Sequence, residues 1–110
     1  MSNEPGFKSL GSVTPKYAVI TGTGTTSIVA AVAGKRISVI AFLLTGTANS
    51  TMTFKSDTTA ITGAMNLVSA SLQLVGPYNP DGHFQTTAGE ALKITASAGT
   101  SSGYVTYIEI

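Results

Sequence analysis

The stretch ISVIAFLL, residues 37–44, decides the fold class of this chain. Its apolar run of six residues, 39–44, has the length of a β-strand and is far too short to cross a membrane. Both of its alternating faces are apolar, one with Ile37, Val39, Ala41 and Leu43, the other with Ile40, Phe42 and Leu44. In an antiparallel sheet, such a strand needs a cover on its outer side, from the chain's own loops, its N-terminal arm or another subunit.

Similar short runs rich in Val, Ile, Thr, Tyr and Phe recur on both sides of this strand, and this chemistry suits a pleated surface. They lie at residues 17–21, 27–32, 51–55, 65–68, 72–75, 92–96 and 104–110, with a short further run at 83–86. Glycine-, asparagine- and serine-rich turn segments separate them at 21–24, 33–35, 46–50, 79–82, 88–90 and 98–103. A turn roughly every 8–12 residues predicts an all-β fold, an antiparallel eight-stranded β-sandwich formed by residues 16–110.

The strands differ in the polarity of their two faces. In TMTFK, residues 51–55, Met52 and Phe54 alternate with threonines and a lysine, which predicts one buried and one solvated face. LKITA, residues 92–96, alternates likewise. The run YVTYIEI, residues 104–110, carries Tyr and Ile on one face and Val105 and Tyr107 on the other. Because a loose apolar edge invites aggregation, we expect this last run to be paired within the sheet.

The composition is poor in charge. Only 10% of the 110 residues are charged, against ~25% in ordinary soluble domains, whereas Thr and Ser together number 29. A net charge of +1, with one adjacent basic pair at Lys35 and Arg36, predicts no nucleic-acid partner and no membrane partner. The lack of cysteine excludes disulfides and thiolate metal sites. A chain with so few charges is expected to cover part of its surface by assembly.

Residues 1–15 predict an extended N-terminal arm outside the sandwich domain. Pro5, Pro15 and two glycines break up the segment, and no basic-then-apolar order of a signal peptide is present. Two interpretations remain open. The arm is a disordered leader, or Phe7 and Leu10 dock on a neighbouring subunit.

The segment GTGTTS, residues 22–27, imitates a nucleotide-binding glycine loop. That motif requires a crossover helix after the loop and an acidic residue about 20 positions on, and the sequence offers neither. We therefore predict a β-turn-β segment here and no nucleotide cofactor.

The side chains that carry chemistry are sparse. His83 is the sole histidine, and zinc needs three or four ligands at fixed spacing. Asp81 and Glu90 are the one pair of acids that could be nominated for glycoside cleavage, and both fall in predicted loops. We expect no enzyme, no metal and no cofactor. Tyr78, in a predicted loop, could instead be an exposed ring for a sugar or a subunit contact.

Two segments resemble small structural proteins of tailed bacteriophages, of about 100 residues. They are KYAVITGTGTTSIVAAVAGKRISVIAFLLTGTANSTMTFKSDTTAITGAM, residues 16–65, and LVGPYNPDGHFQTTAGEALKITASAG, residues 74–99. The sequence departs from the pattern of that group at Asp57, where glycine is the commoner residue.

The resemblance implies a jelly-roll sandwich and a place in the virion, as a capsid decoration (cement) protein made in the host cytoplasm. It implies assembly as a homo-oligomer, a trimer, on the major capsid protein. We expect Ile40, Phe42 and Leu44 to pack between subunits, and the arm with Phe7 and Leu10 to reach the shell. The alternative is a receptor- or glycan-binding module of a tail or head fibre, with Tyr78 in an aromatic cluster.

Overall fold

The part of the protein that the structure describes contains eight β-strands. A computed structural model describes residues 13–67 and 73–110, and no helix occurs among them. The strands are β1 (Lys16–Val29), β2 (Ile37–Gly46), β3 (Ser50–Ser56), β4 (Thr59–Ala60), β5 (Met65–Leu67), β6 (Gln73–Gly76), β7 (Phe84–Gln85) and β8 (Leu92–Glu109). Every pairing is antiparallel. The predicted all-β, eight-stranded antiparallel sandwich is confirmed, and the jelly-roll order of strands stays a prediction.

Two strands are far longer than predicted. β1 unites the predicted run 17–21 with residues 27–29 of the predicted run 27–32, and β8 unites 92–96 with 104–109. The turns predicted at 21–24 and 98–103 are therefore wrong. The pairing of β1 with β8 jumps from Thr23↔Thr100 to Thr25↔Thr95, so that residues 96–99 bulge and the ribbon bends. Gly99 has a φ of 67°, and a Cβ added to it would lie only 2.8 Å from the hydroxyl oxygen of Thr47. Glycine therefore allows the backbone to bend at this position.

The bends divide one continuous hydrogen-bonded network into two packed layers, as corner strands do in sandwiches. Sheet I contains residues 16–23 of β1, residues 101–109 of β8, β2, β6 and β7. Sheet II contains residues 25–29 of β1, residues 92–96 of β8, β3, β4 and β5.

The core lies between the two sheets. The ring of Phe42 in sheet I meets that of Phe54 in sheet II edge-on, with 5.6 Å between centroids. The cluster of buried side chains comprises Ile20, Val29, Ile37, Val39, Leu44, Met52, Phe54, Leu67, Leu92, Ile94, Ala96, Val105 and Tyr107. The predicted alternation in β3, with Met52 and Phe54 inward, is confirmed.

The smaller strands follow the prediction with shifted ends. β5, β6 and β7 fall within or beside the predicted runs 65–68, 72–75 and 83–86, while residues 68 and 72 lie outside the described part. The two-residue β4 was not predicted, since it forms only as the return of a tight turn after β3.

A β-bulge in β2 reverses the expected orientation of its second half. Val39 pairs with Tyr107 and Ala41 with Thr106, so Ile40 is the extra residue. One extra residue exchanges the faces of everything after it. Ile37 and Val39 therefore face the core before the bulge, and Phe42 and Leu44 face it afterwards. The expectation that Ile40, Phe42 and Leu44 form one outward face is wrong for this reason.

The chain covers Ile40 itself. This side chain is fully buried, although it lies outside the main core cluster. The loop between β6 and β7 closes onto β2 here, with the Asn79 N–H donating to the Ile40 carbonyl at 2.8 Å and the His83 N–H donating to the Val39 carbonyl at 2.7 Å. Of the three covers expected for this strand, the chain's own loop supplies the one over Ile40.

A buried polar cluster joins the loop after β7 to both sheets. The Thr86 hydroxyl accepts the Ile37 N–H at 2.9 Å at the start of β2. Ser56, at the end of β3, donates its hydroxyl to Glu90 at 2.6 Å and accepts the Thr87 N–H at 2.9 Å. Because Ser56 is only 1% exposed, these bonds replace water that it cannot reach.

Candidate functional site

The outer face of sheet I carries an apolar row that crosses four strands. Val19 of β1 lies opposite Tyr104 of β8, Tyr104 lies opposite Leu43 of β2, and Leu43 lies opposite Val75 of β6. Directly paired residues in antiparallel strands project to the same face at about 4.5–5.5 Å. We call Val19, Tyr104, Leu43 and Val75 the apolar row.

The apolar row is open to solvent in the single chain. The exposed fractions are 62% for Val19, 63% for Val75 and 44% for Tyr104, with Leu43 partly exposed between them. Beyond the row on one side, Tyr17 is 74% exposed and lies in register with Thr106 and Ala41. The register on the other side consists of Thr21, Ser102, Thr45 and Gln73.

These three registers contain no charged side chain. The nearest ion pair lies at the end of sheet I, where the Lys16 ammonium is 3.1 Å from the Glu109 carboxylate. An uncharged, exposed apolar strip on one face of a sheet is typical of a surface that binds another macromolecule.

The outer face of sheet II is different in kind. Thr25, Thr95 and Thr53 form one register there, and the Thr25 and Thr95 hydroxyls are 2.8 Å apart. The next register holds Ser27, Lys93 and Lys55, and Lys93 also forms an ion pair with Asp57 at 3.2 Å. Hydroxyls and lysines solvate this face, so only sheet I presents an apolar one.

The sequence interpretation came close to the apolar row without identifying it. The sequence predicts that Leu43 and Phe42 lie on opposite faces of β2, which is confirmed, but it puts Phe42 on the outer face. It also predicts that Tyr104 lies on the face opposite to Val105 and Tyr107; in the structure Val105 and Tyr107 are buried and Tyr104 is exposed. Val19 and Val75 could have been found only with the strand register, which places residues far apart in sequence side by side.

The nominated contact residues separate in the structure. Ile40 and Leu44 are fully buried, and the Phe42 ring packs against Phe54 and Phe84. Tyr78 is 53% exposed on the loop after β6. Phe7 and Leu10 lie outside the described residues.

The residues considered for chemistry have structural partners. His83 Nε2 lies 2.6 Å from the Pro77 carbonyl, and its ring meets Phe42 edge-on, which fastens the loop between β6 and β7. Glu90 accepts the Ser56 hydrogen bond, while the Asp81 N–H donates to the Asn79 side chain in a turn. Residues 22–27, the imitation of a glycine loop, lie within β1.

Among residues 13–67 and 73–110, no cavity of ligand size is present, and no three side chains of the metal-binding types converge. The same residues contain no helix long and apolar enough to span a membrane.

Comparison with known proteins gives no relative from which a function could be inferred. No protein-family model matches the chain, and no curated protein matches it either.

Proposed function

We propose that this chain is a structural subunit of a bacteriophage particle, a capsid decoration protein that assembles with copies of itself and stabilises the shell. The supporting observation is the apolar row, because it is an exposed, uncharged strip on one face of a sandwich whose other face is solvated by threonine and lysine. The resemblance of residues 16–65 and 74–99 to phage structural proteins supplies the setting.

The apolar row provides the centre of a contact. Covering it would remove on the order of 300 Å² of apolar surface from water, which corresponds to roughly 7 kcal/mol at ~25 cal/mol per Å². Association costs ~4–15 kcal/mol in lost freedom. The row therefore needs further contacts around it, such as those of Tyr17, to hold two subunits together.

The proposed partners are further copies of the chain, as a homotrimer, and the major capsid protein. The N-terminal arm, with Phe7 and Leu10, would reach capsid subunits. Deleting residues 1–13 should then weaken attachment to the particle and leave the sandwich folded. Unchanged attachment would contradict a docking role for the arm.

Labelling of the particle tests the proposal. An antibody against the purified chain, used in immunoelectron microscopy of phage particles from the strain that carries the gene, should mark the head surface at many points. Particles without any label would contradict a virion role. Label confined to the tail or to fibres would contradict decoration of the head.

A second candidate function, a glycan-binding module of a tail or fibre, is favoured by one observation. Tyr17 and Tyr104 are diagonal neighbours on the open face, since Tyr17 lies opposite Thr106 and Val19 opposite Tyr104. Two exposed rings on one face can stack against sugars. A glycan array should then show a signal that Tyr17→Ala removes, and an array without signal would contradict this candidate.

A further inference from the structure

β1 is an edge strand of unusual length. Its 14 residues pair with β8 along one side, and no other strand of the described part pairs with its second side. The other edge strands, β4, β5, β6 and β7, are only two to four residues long. Short edge strands are one way in which proteins avoid pairing with other chains, and β1 lacks this protection.

β1 also lacks two further protections of an edge, namely charge and proline along the strand. From residue 17 to residue 29 it contains no charged residue and no proline. Its one cation, Lys16, lies at the first position and is engaged with Glu109. The bend at residues 23–25 interrupts the edge, but the segment before it is extended over eight residues.

The side-chain pattern of that segment allows it to pair with the same segment of a second copy of the chain. Val19 and Tyr17 face outward, while Ile20 is 1% exposed and Ala18 packs on the core. When two copies of this segment pair antiparallel, the two-fold axis can be level with a residue or midway between two residues. Only an axis level with a residue sets the outward-facing residues of one copy beside outward-facing residues of the other. An axis at Val19 sets Val19 beside Val19 and Tyr17 beside Thr21 of the second copy.

We propose that residues 17–21 of β1 bind the same segment of a second copy of this chain, edge to edge and antiparallel around a two-fold axis. An identical neutral strand suits this edge because the edge offers no charge for a charged partner to recognise. The pairing is isologous, so it closes after two copies. It joins the two four-stranded arrays β1-β8-β2-β6 into one sheet and makes the apolar rows of both copies continuous.

This contact is formed by backbone groups of β1, and it does not rest on the proposed function. Three-fold assembly through the faces of sheet I and two-fold pairing through β1 use different groups and can coexist. A particle without this protein would contradict the proposed function and leave the pairing of the purified chain unaffected.

Single cysteines test the pairing, because the natural chain has none. Tyr17→Cys, Val19→Cys, Thr21→Cys and Thr23→Cys each place one thiol on the exposed face of β1. A residue on the two-fold axis lies about 4.5–5.5 Å from its symmetry mate, which suits a disulfide. Under mild oxidation of the folded protein, we expect Val19→Cys to give at least five times more covalent dimer than Tyr17→Cys or Thr21→Cys.

Two matched variants complete the scan. Thr58→Cys lies in the exposed turn between β3 and β4 on sheet II, away from β1 and the apolar row, and it reports chance collision. Leu43→Cys reports stacking of faces. Yields on β1 no higher than that of Thr58→Cys would overturn the proposal, whatever the yield at Leu43→Cys. Circular dichroism identifies any variant that fails to fold, and amide exchange on the unmodified chain gives a second readout.

In the unmodified chain, the alternate amides of residues 17–21 that point away from β8 should exchange more slowly as protein concentration rises. Exchange that is independent of concentration would overturn the pairing even if every cysteine variant misfolded.

Discussion

Gly103 lies where β8 makes its closest approach to β2. Its φ is 132°, a region that residues with a side chain rarely adopt, and an added Cβ would overlap the Leu43 carbonyl oxygen. The position is at the margin of the apolar row, since Gly103 precedes Tyr104. Glycine here allows β8 and β2 to stay in register under the row.

Gly103→Ala should therefore lower the free energy of unfolding by about 2 kcal/mol or more, from backbone strain and from displacement of β2. Urea unfolding followed by circular dichroism measures the effect. Gly63→Ala is the control, because an added Cβ there meets nothing within 4 Å. Equal stability of the two variants would contradict this account of Gly103.

Ser56 shows how a single hydroxyl can join two parts of the sandwich. Ser56→Ala removes the donor to Glu90 and the acceptor for the Thr87 N–H, so both groups lose a partner. We expect a loss of about 1–3 kcal/mol in the free energy of unfolding. Ser27→Ala, at an exposed position of β1, should cost under about 0.5 kcal/mol. A similar cost for both in thermal unfolding would show that the Ser56 bonds contribute nothing.

At the scale of the element, the bulge in β2 determines which surface is available for function. Because Ile40 is inserted, Leu44 faces the core and Leu43 faces outward. Leu44→Ala should lower the free energy of unfolding by about 2–5 kcal/mol through a cavity, and Leu43→Ala by under about 1 kcal/mol. The reverse order in denaturant titrations would contradict the assignment of the two faces.

The strands themselves could be predicted from alternation, as β3 shows: Met52 and Phe54 alternate with hydroxyls, and they are buried. The bends in β1 and β8 could not be predicted, because a glycine-rich segment has the same sequence pattern whether the strand bends or the chain closes a turn. The bulge at Ile40 could not be predicted either, since Val-Ile-Ala has no feature that distinguishes a bulged strand from a regular one. Because the bulge at Ile40 is not visible in the sequence, the alternation predicts Phe42 and Leu44 on the outer face of β2, whereas both side chains lie on its inner face.

At the scale of the whole molecule, the low charge is unevenly compensated. Hydroxyls and lysines solvate the outer face of sheet II, whereas the apolar row of sheet I is flanked by hydroxyls and by no charged side chain. The apolar row is therefore the part of the surface available for assembly.

Self-association through such a face should depend little on ionic strength. Raising the salt from 0.1 to 1 M shortens the Debye length from ~10 to ~3 Å, which would weaken contacts between exposed charges. The apolar row has none, so sedimentation equilibrium should give an association constant that is unchanged or slightly higher at 1 M. A fall of tenfold or more would contradict an uncharged interface.

The most direct test of the apolar row is the molar mass of the native chain in solution. Light scattering after size-exclusion chromatography should give a multiple of the 11.2 kDa chain mass for the natural sequence. Leu43→Lys should lower the mass to no more than that of the two-chain unit joined through β1, with an unchanged circular dichroism spectrum. A natural chain that stays monomeric over the whole concentration range, or a Leu43→Lys variant that keeps the full oligomer mass, would contradict the assignment of this face as the assembly surface.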